Sequence, residues 1–349
     1  MIRVGVLGAG FLAGAYVRSV REVRDAEVTA VYARRADRAA ALAEEHGIAA
    51  WHDDMAALCG RADVDAVLVA LPNDVHLPAV RVAAAAGKPV LCTKPLARDA
   101  REAAEMLRLV RTAGVIHGYG ESEAYAPAVR RLVEVVGSGA LGRIHTLRSR
   151  DAHAGPHADH FWDHAVAGGG ALLDMGCHAL ETARLLVGKG NLPTAVAAWG
   201  AGLSGRPGAT VEDNAVMMVR FAGGEVATIE ASWTQAGGMV LHTEAHGSSG
   251  TASSDITAGP VRAFSAAGIA SVGEKADQTA GWVTPMVDED RSYGYVAMVD
   301  DFLHGVAGAV APAETFVDGY VVNEVLDAAY RAMRTRVWEP VSYDRELLG

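Results

Sequence analysis

The sequence predicts an α/β protein with two domains. Residues 1–121 are expected to form a doubly wound parallel sheet, and residues 122–349 an α+β domain with a large, mostly antiparallel open sheet. Three observations support this prediction. Apolar, β-branched runs alternate with helix-length segments in the first third of the chain, β-patterned runs follow one another in the second half, and 349 residues suit about two domains of ordinary size.

Strands and helices alternate from the first residues onward. Helices of this length between strands imply right-handed crossovers, which make the strands parallel in one sheet. Because ligands in such sheets bind at the carboxyl ends of the strands, a site is expected there. The predicted strands are Ile2–Leu7, Val28–Tyr32, Val64–Ala70, Pro89–Cys92 and Val115–Tyr119, and the helices are Leu12–Val23, Ala36–His46, Leu77–Ala86 and Ala100–Ala113.

The first strand runs directly into a glycine-rich turn, GAGFLA at residues 8–13. Gly8 permits a tight turn, Gly10 lets a pyrophosphate approach the backbone, and Ala13 lets helix and strand pack closely. The N–H groups of the helix that begins at Phe11 and Leu12 can bind phosphate oxygens. This strand–turn–helix context predicts a Rossmann dinucleotide site, with a purely structural glycine turn as the alternative.

The end of the second strand indicates which dinucleotide is bound. An acidic residue there would accept a hydrogen bond from the adenosine ribose of NAD. The chain instead reads Tyr32-Ala33-Arg34-Arg35, and the first acid is Asp37. Arg34 and Arg35 suit the 2′-phosphate of NADP, so the sequence favours NADP over NAD. Two solvated arginines at the start of a helix are the alternative.

A lysine follows the strand Pro89–Cys92, in the sequence Thr93-Lys94-Pro95. At a strand end that faces a cofactor, Lys94 would place a cation in the site. The proline after it restricts the backbone of Lys94 and so fixes where the ammonium points. A turn without a chemical role is the alternative interpretation.

The segment Gly168–Leu180 reads GGGALLDMGCHAL. It is expected to form one helix, on which Asp174 and His178 are four residues apart and share a face. The three glycines before it are interpreted as room for close approach to a cofactor or substrate. An imidazole that titrates near neutrality suits a general base, although a structural histidine in a helix is the alternative.

The second domain begins with the helix Pro127–Val136 and then becomes rich in β-patterned runs. One face of its sheet is expected to be covered by helices, and the other to pair with a second subunit, giving a homodimer or homotetramer. Residues Ala266–Gly281 are predicted to be a surface loop. The predicted strands are Ile144–Asp151, Ala195–Gly200, Asn214–Phe221, Glu225–Trp233, Met239–Gly247 and Gly250–Ile256, and the last helices are Tyr293–Val306 and Asp318–Arg334.

Four histidines occur within Asp151–His164, at His153, His157, His160 and His164. Their spacing resembles that of metal ligands, but there is no HExxH motif and no metal is predicted. A loop that binds substrate hydroxyls is the preferred interpretation, with solvated histidines as another. Trp162 in this loop could line one side of the nicotinamide or substrate site, or anchor the loop to the core.

Composition excludes several classes of partner. The net charge of −11 argues against nucleic acid and anionic membranes, because both favour basic patches. No apolar run approaches the ~20 residues that span a bilayer. The three cysteines form no CxxC motif, which fits a reducing compartment, and a cytoplasmic protein is expected.

Taken in order, these motifs resemble the glucose–fructose oxidoreductase/inositol dehydrogenase (Gfo/Idh/MocA) family. The matching sequences are GAGFLA, LPNDVH at residues 71–76, AAGKPVLCTKPLA at residues 85–97 and GGGALLDMGCH at residues 168–178. This chain departs from the family at Thr93, where a glutamate is usual, and at Ala33, where NAD-preferring members have an acid. The first departure affects cofactor contacts, and the second favours NADP.

The resemblance implies an NAD(P)-dependent oxidoreductase that transfers a hydride between nicotinamide and a secondary alcohol or hemiacetal of a sugar, inositol or sugar derivative. A lyase or glycosidase that works through a transient keto intermediate, and a non-catalytic nucleotide sensor, are the alternatives. The implied catalytic group is Lys94, Asp174 and His178. The candidate cofactor residues are Gly8, Gly10, Phe11, Leu12, Arg34, Arg35, Leu71, Pro72, Asn73, His76, Thr93, Lys94, Glu121 and Trp162, and the candidate substrate residues are Lys94, Tyr125, His157, Trp162, Asp174 and His178.

Overall fold

The structure is a computed structural model that describes residues 1–270, 272–276 and 278–349. By internal packing the chain divides into two units. The first comprises residues 1–122, 295–323 and 344–349, and the second residues 123–294 and 324–343. Two C-terminal segments, which the division predicted from sequence assigns to the second domain, therefore pack within the first unit.

The first unit is built on a parallel sheet of six strands in the described part of the chain, in the order β3-β2-β1-β4-β5-β6. The order reverses at β1, so the sheet is doubly wound and the predicted Rossmann fold is confirmed. The strands are β1 (Ile2–Leu7), β2 (Ala26–Tyr32), β3 (Ala50–His52), β4 (Ala66–Val69), β5 (Val90–Thr93) and β6 (His117–Gly120), and the helices are α1 (Phe11–Glu22), α2 (Ala36–His46), α3 (Met55–Cys59), α4 (His76–Ala85) and α5 (Ala100–Ala113).

Local sequence signals explain where several of these helices begin and end. The carboxylate of Asp99 accepts a hydrogen bond from the N–H of Glu102 and caps α5, and Gly114 ends that helix in the left-handed conformation. Asp54 caps α3 in the same way. Strand β3 and helix α3 were not predicted, because segments of three and five residues are too short to show a period.

The second unit is built on a seven-stranded sheet in the described residues, in the order β12-β11-β7-β10-β9-β8-β15. Among the strand pairs that the structure describes in this sheet, only β7–β10 is parallel, so the prediction of a mostly antiparallel sheet is confirmed. Its elements are α6 (Pro127–Gly137), β7 (Ile144–Ala152), α7 (His164–Ala167), α8 (Ala171–Asp174), α9 (Gly176–Val187), β8 (Pro193–Ala201), β9 (Asn214–Phe221), β10 (Val226–Ser232), β11 (Val240–Gly247), β12 (Thr251–Asp255), β13 (Ala263–Ser265), β14 (Gly281–Val283) and α10 (Glu289–Ser292).

The chain ends with α11 (Tyr295–Gly308), α12 (Phe316–Thr335), β15 (Glu339–Pro340) and α13 (Arg345–Leu348). In the first unit α11 packs on α1, where the rings of Tyr295 and Tyr16 meet edge to face at 6.3 Å. The Asn323 side chain on α12 donates to the carbonyl of Ala97, 2.9 Å away. These contacts explain why the C-terminal segments belong to the first unit.

The two faces of the second sheet differ in burial. Residues of β9 alternate strictly, with Ala215, Met217 and Val219 buried against the helical side. The opposite face exposes large apolar side chains, since Trp199, Val216 and Met218 are 54%, 37% and 41% exposed. The strand registers place these three side by side, because Trp199 pairs with Val216 and Met218 lies two residues along β9.

Residues Ala266–Gly281, predicted to form a surface loop, connect β13 to β14, and Gly281 itself begins β14. Within this segment residues 271 and 277 lie outside the described residues. None of the helices in the described part of the chain combines the length and hydrophobicity needed to cross a membrane.

Candidate active site

The dinucleotide turn between β1 and α1 requires glycine. Gly8 has φ +136°, and a Cβ there would lie 2.1 Å from the carbonyl oxygen of Ala70. Gly10 is the N-cap residue of α1, and among the described residues a Cβ there would meet no heavy atom within 4 Å. A helix N-terminus without a side-chain cap, facing open space, fits the pyrophosphate of a dinucleotide.

Two carboxylates that were not predicted as site residues lie near the end of β2. Strand β3 pairs His52 with Tyr32, so Asp53 and Asp54 follow the end of the strand that neighbours β2. Burial raises the pKa of Tyr32. Arg34 opposes this shift, and the two acids add to it. Asp54 is engaged as the cap of α3. Because β3 is too short to be predicted, the sequence alone does not indicate that these acids lie near the end of β2.

His76 connects two loops at the carboxyl edge of the first sheet. Its Nε2 lies 2.8 Å from the carbonyl oxygen of Leu71, and its Nδ1 lies 3.1 Å from the carbonyl oxygens of Pro95 and Leu96. The side chain is fully buried, and burial lowers its pKa, whereas the three carbonyl oxygens around the ring oppose that shift. His76 therefore holds the Leu71-Pro72 turn, next to buried Asn73, against the loop that follows Lys94.

The ends of β5 and β6 place two further candidates close together in the first unit. Thr93 pairs with Gly120 across the two strands, and Lys94 and Glu121 are the next residues of each. Thr93 is buried. Glu121 is fully buried and Lys94 half-buried, and the Lys94–Pro95 peptide is cis.

The glycines before Asp174 serve internal packing, in contrast to the interpretation from sequence. A Cβ at Gly169 would lie 2.1 Å from the hydroxyl of Tyr330, and a Cβ at Gly170 would lie 1.8 Å from the carbonyl oxygen of Glu212. Gly168 ends α7 with φ +85°. The neighbours that exclude side chains here are protein atoms of the same unit, so these glycines need no ligand to explain them.

Asp174 and His178 do not share one continuous helix, and that prediction is wrong. Asp174 is the last residue of α8, and α9 begins at Gly176. The carbonyl of Asp174 accepts a hydrogen bond from the thiol of Cys177 at 3.2 Å, whereas the N–H of His178 donates to Met175. The break at Met175 places the two candidate residues on successive helical segments.

Asp174 is held by two side chains of the second unit. The indole Nε1 of Trp233 donates to Asp174 Oδ2 at 2.9 Å, and Nε2 of His153 lies 3.7 Å from the same oxygen. His153 is buried at the end of β7, and Trp233 follows β10, the parallel neighbour of β7. This arrangement fixes where the Asp174 carboxylate points.

His178 lies beside a different carboxylate. Its Nδ1 is 3.8 Å from Glu123 Oε1, and both side chains are only 8% exposed. Burial, together with the carboxylates of Glu274, Glu289 and Glu123, raises the pKa of Tyr293. His178 is therefore a buried imidazole that faces a buried carboxylate.

The four histidines of the 151–164 segment have four different surroundings, which favours separate roles over a shared metal site. His153 contacts Asp174, and His157 Nε2 lies 2.5 Å from Glu274 Oε1. The ring of His160 stacks on Phe161 at 4.6 Å, and His164 begins α7, where its N–H donates to Thr210.

Trp162 is buried, and its contacts within the second unit anchor the loop. Its ring meets that of Trp233 edge to face at 4.9 Å, and the Arg206 guanidinium lies 4.7 Å above it. Tyr125, another predicted substrate residue, is buried in a 3-10 turn just before α6.

Glu123, Trp233 and Glu212 were not predicted from the sequence. Glu212 accepts from Leu172, 40 residues away, and Trp233 donates to Asp174, 59 residues away, and no short motif links these pairs. For Trp233 one signal was available, because it is the last residue of the predicted strand Glu225–Trp233 and so lies at a strand end, as Lys94 does.

Two profiles of known protein families match the chain. Residues 2–121 match the oxidoreductase family with an NAD-binding Rossmann fold, and residues 129–253 match the GFO/IDH/MocA C-terminal domain. The first range coincides with the doubly wound sheet, and the second covers the segment that carries Asp174 and His178.

Individual proteins are similar to the chain as well. The 1,5-anhydro-D-fructose reductase of Ensifer adhaerens is 33% identical over 238 residues, 67% of this chain and 70% of that protein. The levoglucosan dehydrogenase of Pseudarthrobacter phenanthrenivorans is 27% identical, over 97% of this chain and 98% of that protein. The crystal structure of GenD2 from gentamicin A biosynthesis, in complex with NAD, superimposes with a TM-score of 0.93 at 29% identity, covering 98% of this chain and 97% of that one. Fold, ordered motifs and matches agree, and the chain belongs to the Gfo/Idh/MocA family of NAD-binding oxidoreductases.

Proposed function

We propose that this oxidoreductase transfers a hydride between a nicotinamide cofactor and a secondary alcohol or hemiacetal of a sugar, inositol or sugar derivative. The observation that carries the proposal is the pair of buried, partnered groups in the second unit, Asp174 held by Trp233 and His178 beside Glu123. The relatives named for anhydrofructose and levoglucosan support a substrate of this class.

The bound cofactor supplies the hydride acceptor or donor. In the oxidation direction His178 takes the proton of the substrate hydroxyl, and the carbinol carbon loses a hydride and becomes a carbonyl. Glu123, 3.8 Å from His178 Nδ1, stabilises the imidazolium that this proton transfer creates. In the reverse direction His178 returns the proton.

Lys94 and Asp174 are assigned complementary roles. Lys94 is proposed to stabilise the negative charge that develops on the reacting oxygen, as a preorganised cation at the end of β5. Asp174 is proposed to accept a hydrogen bond from a neighbouring substrate hydroxyl, with its carboxylate kept in position by the indole of Trp233. This division leaves the proton transfer to His178.

The cofactor is proposed to lie along the carboxyl edge of the first sheet. Gly8 and Gly10 give the pyrophosphate access to α1, and Phe11, which is 50% exposed, and Leu12 contribute its first turn. Further along the edge, the proposed contacts are Leu71, Pro72, Asn73, Thr93, Lys94 and Glu121, whereas His76 acts by holding two of these loops together.

NADP is the proposed preferred form, and Arg34 is proposed to carry the preference. Arg34 and Arg35 are both exposed after β2, but Arg35 Nη2 lies 2.6 Å from Asp37 Oδ2. That ion pair engages Arg35, so Arg34 is the better candidate for the 2′-phosphate. Arginine suits this role because its planar donors match phosphate oxygens.

The substrate is proposed to meet the second unit at Asp174 and His178, with Tyr125, His157 and Trp162 around it. Because Trp162 is buried against Trp233 and Arg206, its role toward the nicotinamide or the substrate is expected to be as a wall rather than as a hydrogen-bond donor. The pairing of His157 with Glu274 joins the histidine loop to the segment after β13.

A homodimer or homotetramer is proposed through the open face of the second sheet. The exposed cluster of Trp199, Val216 and Met218 is an apolar patch of the kind that marks subunit interfaces. Domain limits of 1–121 and 122–349 are proposed for the two functional modules, although C-terminal residues 295–323 and 344–349 pack with the first.

The function is tested by mixing the purified protein with NADP or NAD and a panel of sugars and polyols that includes levoglucosan and myo-inositol. The proposal predicts growth of the reduced-nicotinamide absorbance with at least one substrate. A lyase or glycosidase would convert a glycoside without net reduction of added cofactor, and a sensor would bind the nucleotide without turnover. Either of those results contradicts the proposal.

A further inference from the structure

The short helix α8, which carries Asp174, is capped at its N-terminus by the backbone carbonyl and the side chain of one residue, Glu212. The N–H of Ala171 donates to the carbonyl oxygen of Glu212 at 3.0 Å. The N–H groups of Gly170 and Leu172 donate to its carboxylate, at 3.2 Å to Oε2 and 2.9 Å to Oε1. Three successive N–H groups at the start of α8, which would lack partners within so short a helix, are thereby satisfied.

Tyr330 completes this cap. Its hydroxyl donates to Glu212 Oε1 at 3.0 Å and accepts from the N–H of Gly170 at 3.2 Å. Gly169 and Gly170 let these groups approach, because a Cβ on either would collide with Tyr330 or Glu212. Burial raises the pKa of Glu212, while the bonds from Leu172, Tyr330 and Gly170 oppose that shift.

The backbone of the next residue, Asp213, holds Trp233, whose indole contacts Asp174. The N–H of Trp233 donates to the carbonyl oxygen of Asp213 at 2.8 Å, and the indole of Trp233 donates to Asp174 at 2.9 Å. The N–H of Asp174 in turn donates to the carbonyl of Gly170 at 3.0 Å. Hydrogen bonds therefore form a circuit that joins residues 212–213 to helix α8 on one side and to Trp233 on the other. Both branches of this circuit lead to Asp174.

We propose that Glu212 is a positioning residue for the reaction: by capping α8 it sets the place of Asp174, and the adjacent Asp213 backbone sets the indole that orients the same carboxylate. The inference rests on the proposed function, in which Asp174 binds a substrate hydroxyl. Glu212 acts through Asp174 and Trp233 and makes no proposed contact with substrate.

The geometry indicates why the charge of Glu212 matters. Both carboxylate oxygens accept from N–H or O–H donors, so an amide at this position would turn an NH₂ group toward a backbone N–H. The start of α8 would then shift, and Asp174 with it. Displacements of about 1 Å in a positioned group lower turnover by about 100-fold.

The test uses the full-length protein labelled with ¹⁵N-tryptophan and the variants Glu212→Gln and Asp174→Asn. The chain has six tryptophans, and Trp233→Phe identifies the indole N–H signal of Trp233. Glu225→Gln is the matched control, because Glu225 accepts from Asn191 in the turn before β10 and is not part of the circuit.

The expected result is that the indole signal of Trp233 moves in both Asp174→Asn and Glu212→Gln and stays in place in Glu225→Gln. A Trp233 signal that moves no more in Glu212→Gln than in the control overturns the inference. This measurement needs no substrate, so it is independent of whether the proposed function holds.

Kinetics on the best substrate of the panel separate positioning from general destabilisation. Glu212→Gln is expected to lower kcat by about 10–100-fold, with the KM for the cofactor unchanged. In an Asp174→Asn background the same change is expected to have little further effect, because the group it positions is already altered. Equal losses in both backgrounds overturn the inference, whereas full turnover by Asp174→Asn would instead contradict the proposed role of Asp174.

Discussion

Two adjacent arginines after β2 differ in their surroundings although they look equivalent in the sequence. Arg35 is bound to Asp37 two residues later, while Arg34 lies next to the strand end where the adenosine ribose of a Rossmann cofactor is bound. Asp53 and Asp54, which follow β3, add negative charge near Tyr32 at the end of β2, and negative charge there would oppose a 2′-phosphate. The balance between these charges is expected to decide the cofactor.

Replacing Arg34 tests that balance. Arg34→Ala is expected to lower kcat/KM for NADP by about 10-fold or more and to leave kcat/KM for NAD nearly unchanged, since a charge-assisted hydrogen bond contributes about 1.5–3 kcal/mol. Steady-state kinetics with both cofactors measure the ratio, and Arg35→Ala serves as the matched control. Parallel losses with NAD and NADP in Arg34→Ala would contradict the assignment.

Individual site residues were predictable where a motif carries them and not where tertiary contacts do. Gly8 and Gly10 follow from the strand–turn–helix context, and Lys94 from its place after a strand. Glu123 and Trp233 were not predictable, because their relation to His178 and Asp174 arises only when distant segments pack. The assignments of catalytic roles remain predictions.

At the level of secondary-structure elements, the candidate site differs most from its prediction at the break between α8 and α9. A period of 3.6 residues predicts one helix through Asp174 and His178, and the sequence contains no proline to interrupt it. At this break the Cys177 thiol donates to the Asp174 carbonyl, and the start of α8 is bonded to Glu212. Neither interaction has a signal in local sequence.

The glycines before α8 provide a test at this scale. Gly170→Ala would place a Cβ 1.8 Å from the Glu212 carbonyl oxygen, and a backbone atom cannot yield as a flexible side chain can. We expect a loss of about 3 kcal/mol, or about 5–10 °C in the thermal midpoint. Differential scanning calorimetry would measure it. Gly190→Ala, at a site with open space around the Cβ, is the control, and equal midpoints for the two variants would refute the packing explanation.

At the scale of the whole molecule, sequence predicted the architecture well. The alternation of strands and helices established the doubly wound sheet, and β1, α2, α5 and β9 have the predicted bounds. The chain path of the C-terminus was less accessible, because contacts such as that of Asn323 with Ala97 join residues 226 positions apart. The oligomeric state and the cytoplasmic location remain predictions.

The stability of the molecule is expected to fall on acidification through His117. Burial, with a contribution from Arg111, lowers the pKa of His117 to about 4 from its ordinary value of 6.5, against the opposing effect of Asp318. The unfolded chain therefore binds a proton below 6.5 that the folded chain does not take up until about 4. As far as His117 determines it, the free energy of unfolding is highest above the unfolded pKa of 6.5. It declines as the pH falls from there toward about 4, by up to about 1.4 kcal/mol per pH unit.

His117→Gln keeps an acceptor for the N–H of Phe316, which donates to His117 Nδ1, and removes the titration. Between about pH 7 and about pH 5 its thermal midpoint is expected to fall less than that of the unaltered protein. His304→Gln, at a side chain that is 67% exposed, is the control. The same pH dependence in all three proteins would contradict this account.

The central claim is that His178 moves the proton while Lys94 stabilises the reacting oxygen during hydride transfer. Single-turnover measurement of nicotinamide reduction, together with cofactor binding followed by fluorescence, tests it most directly in His178→Ala and Lys94→Ala. The account predicts that both variants still bind the cofactor, His178→Ala as tightly as the unaltered protein, and that both reduce it at least about 100-fold more slowly. Reduction at an unchanged rate in both variants would contradict it.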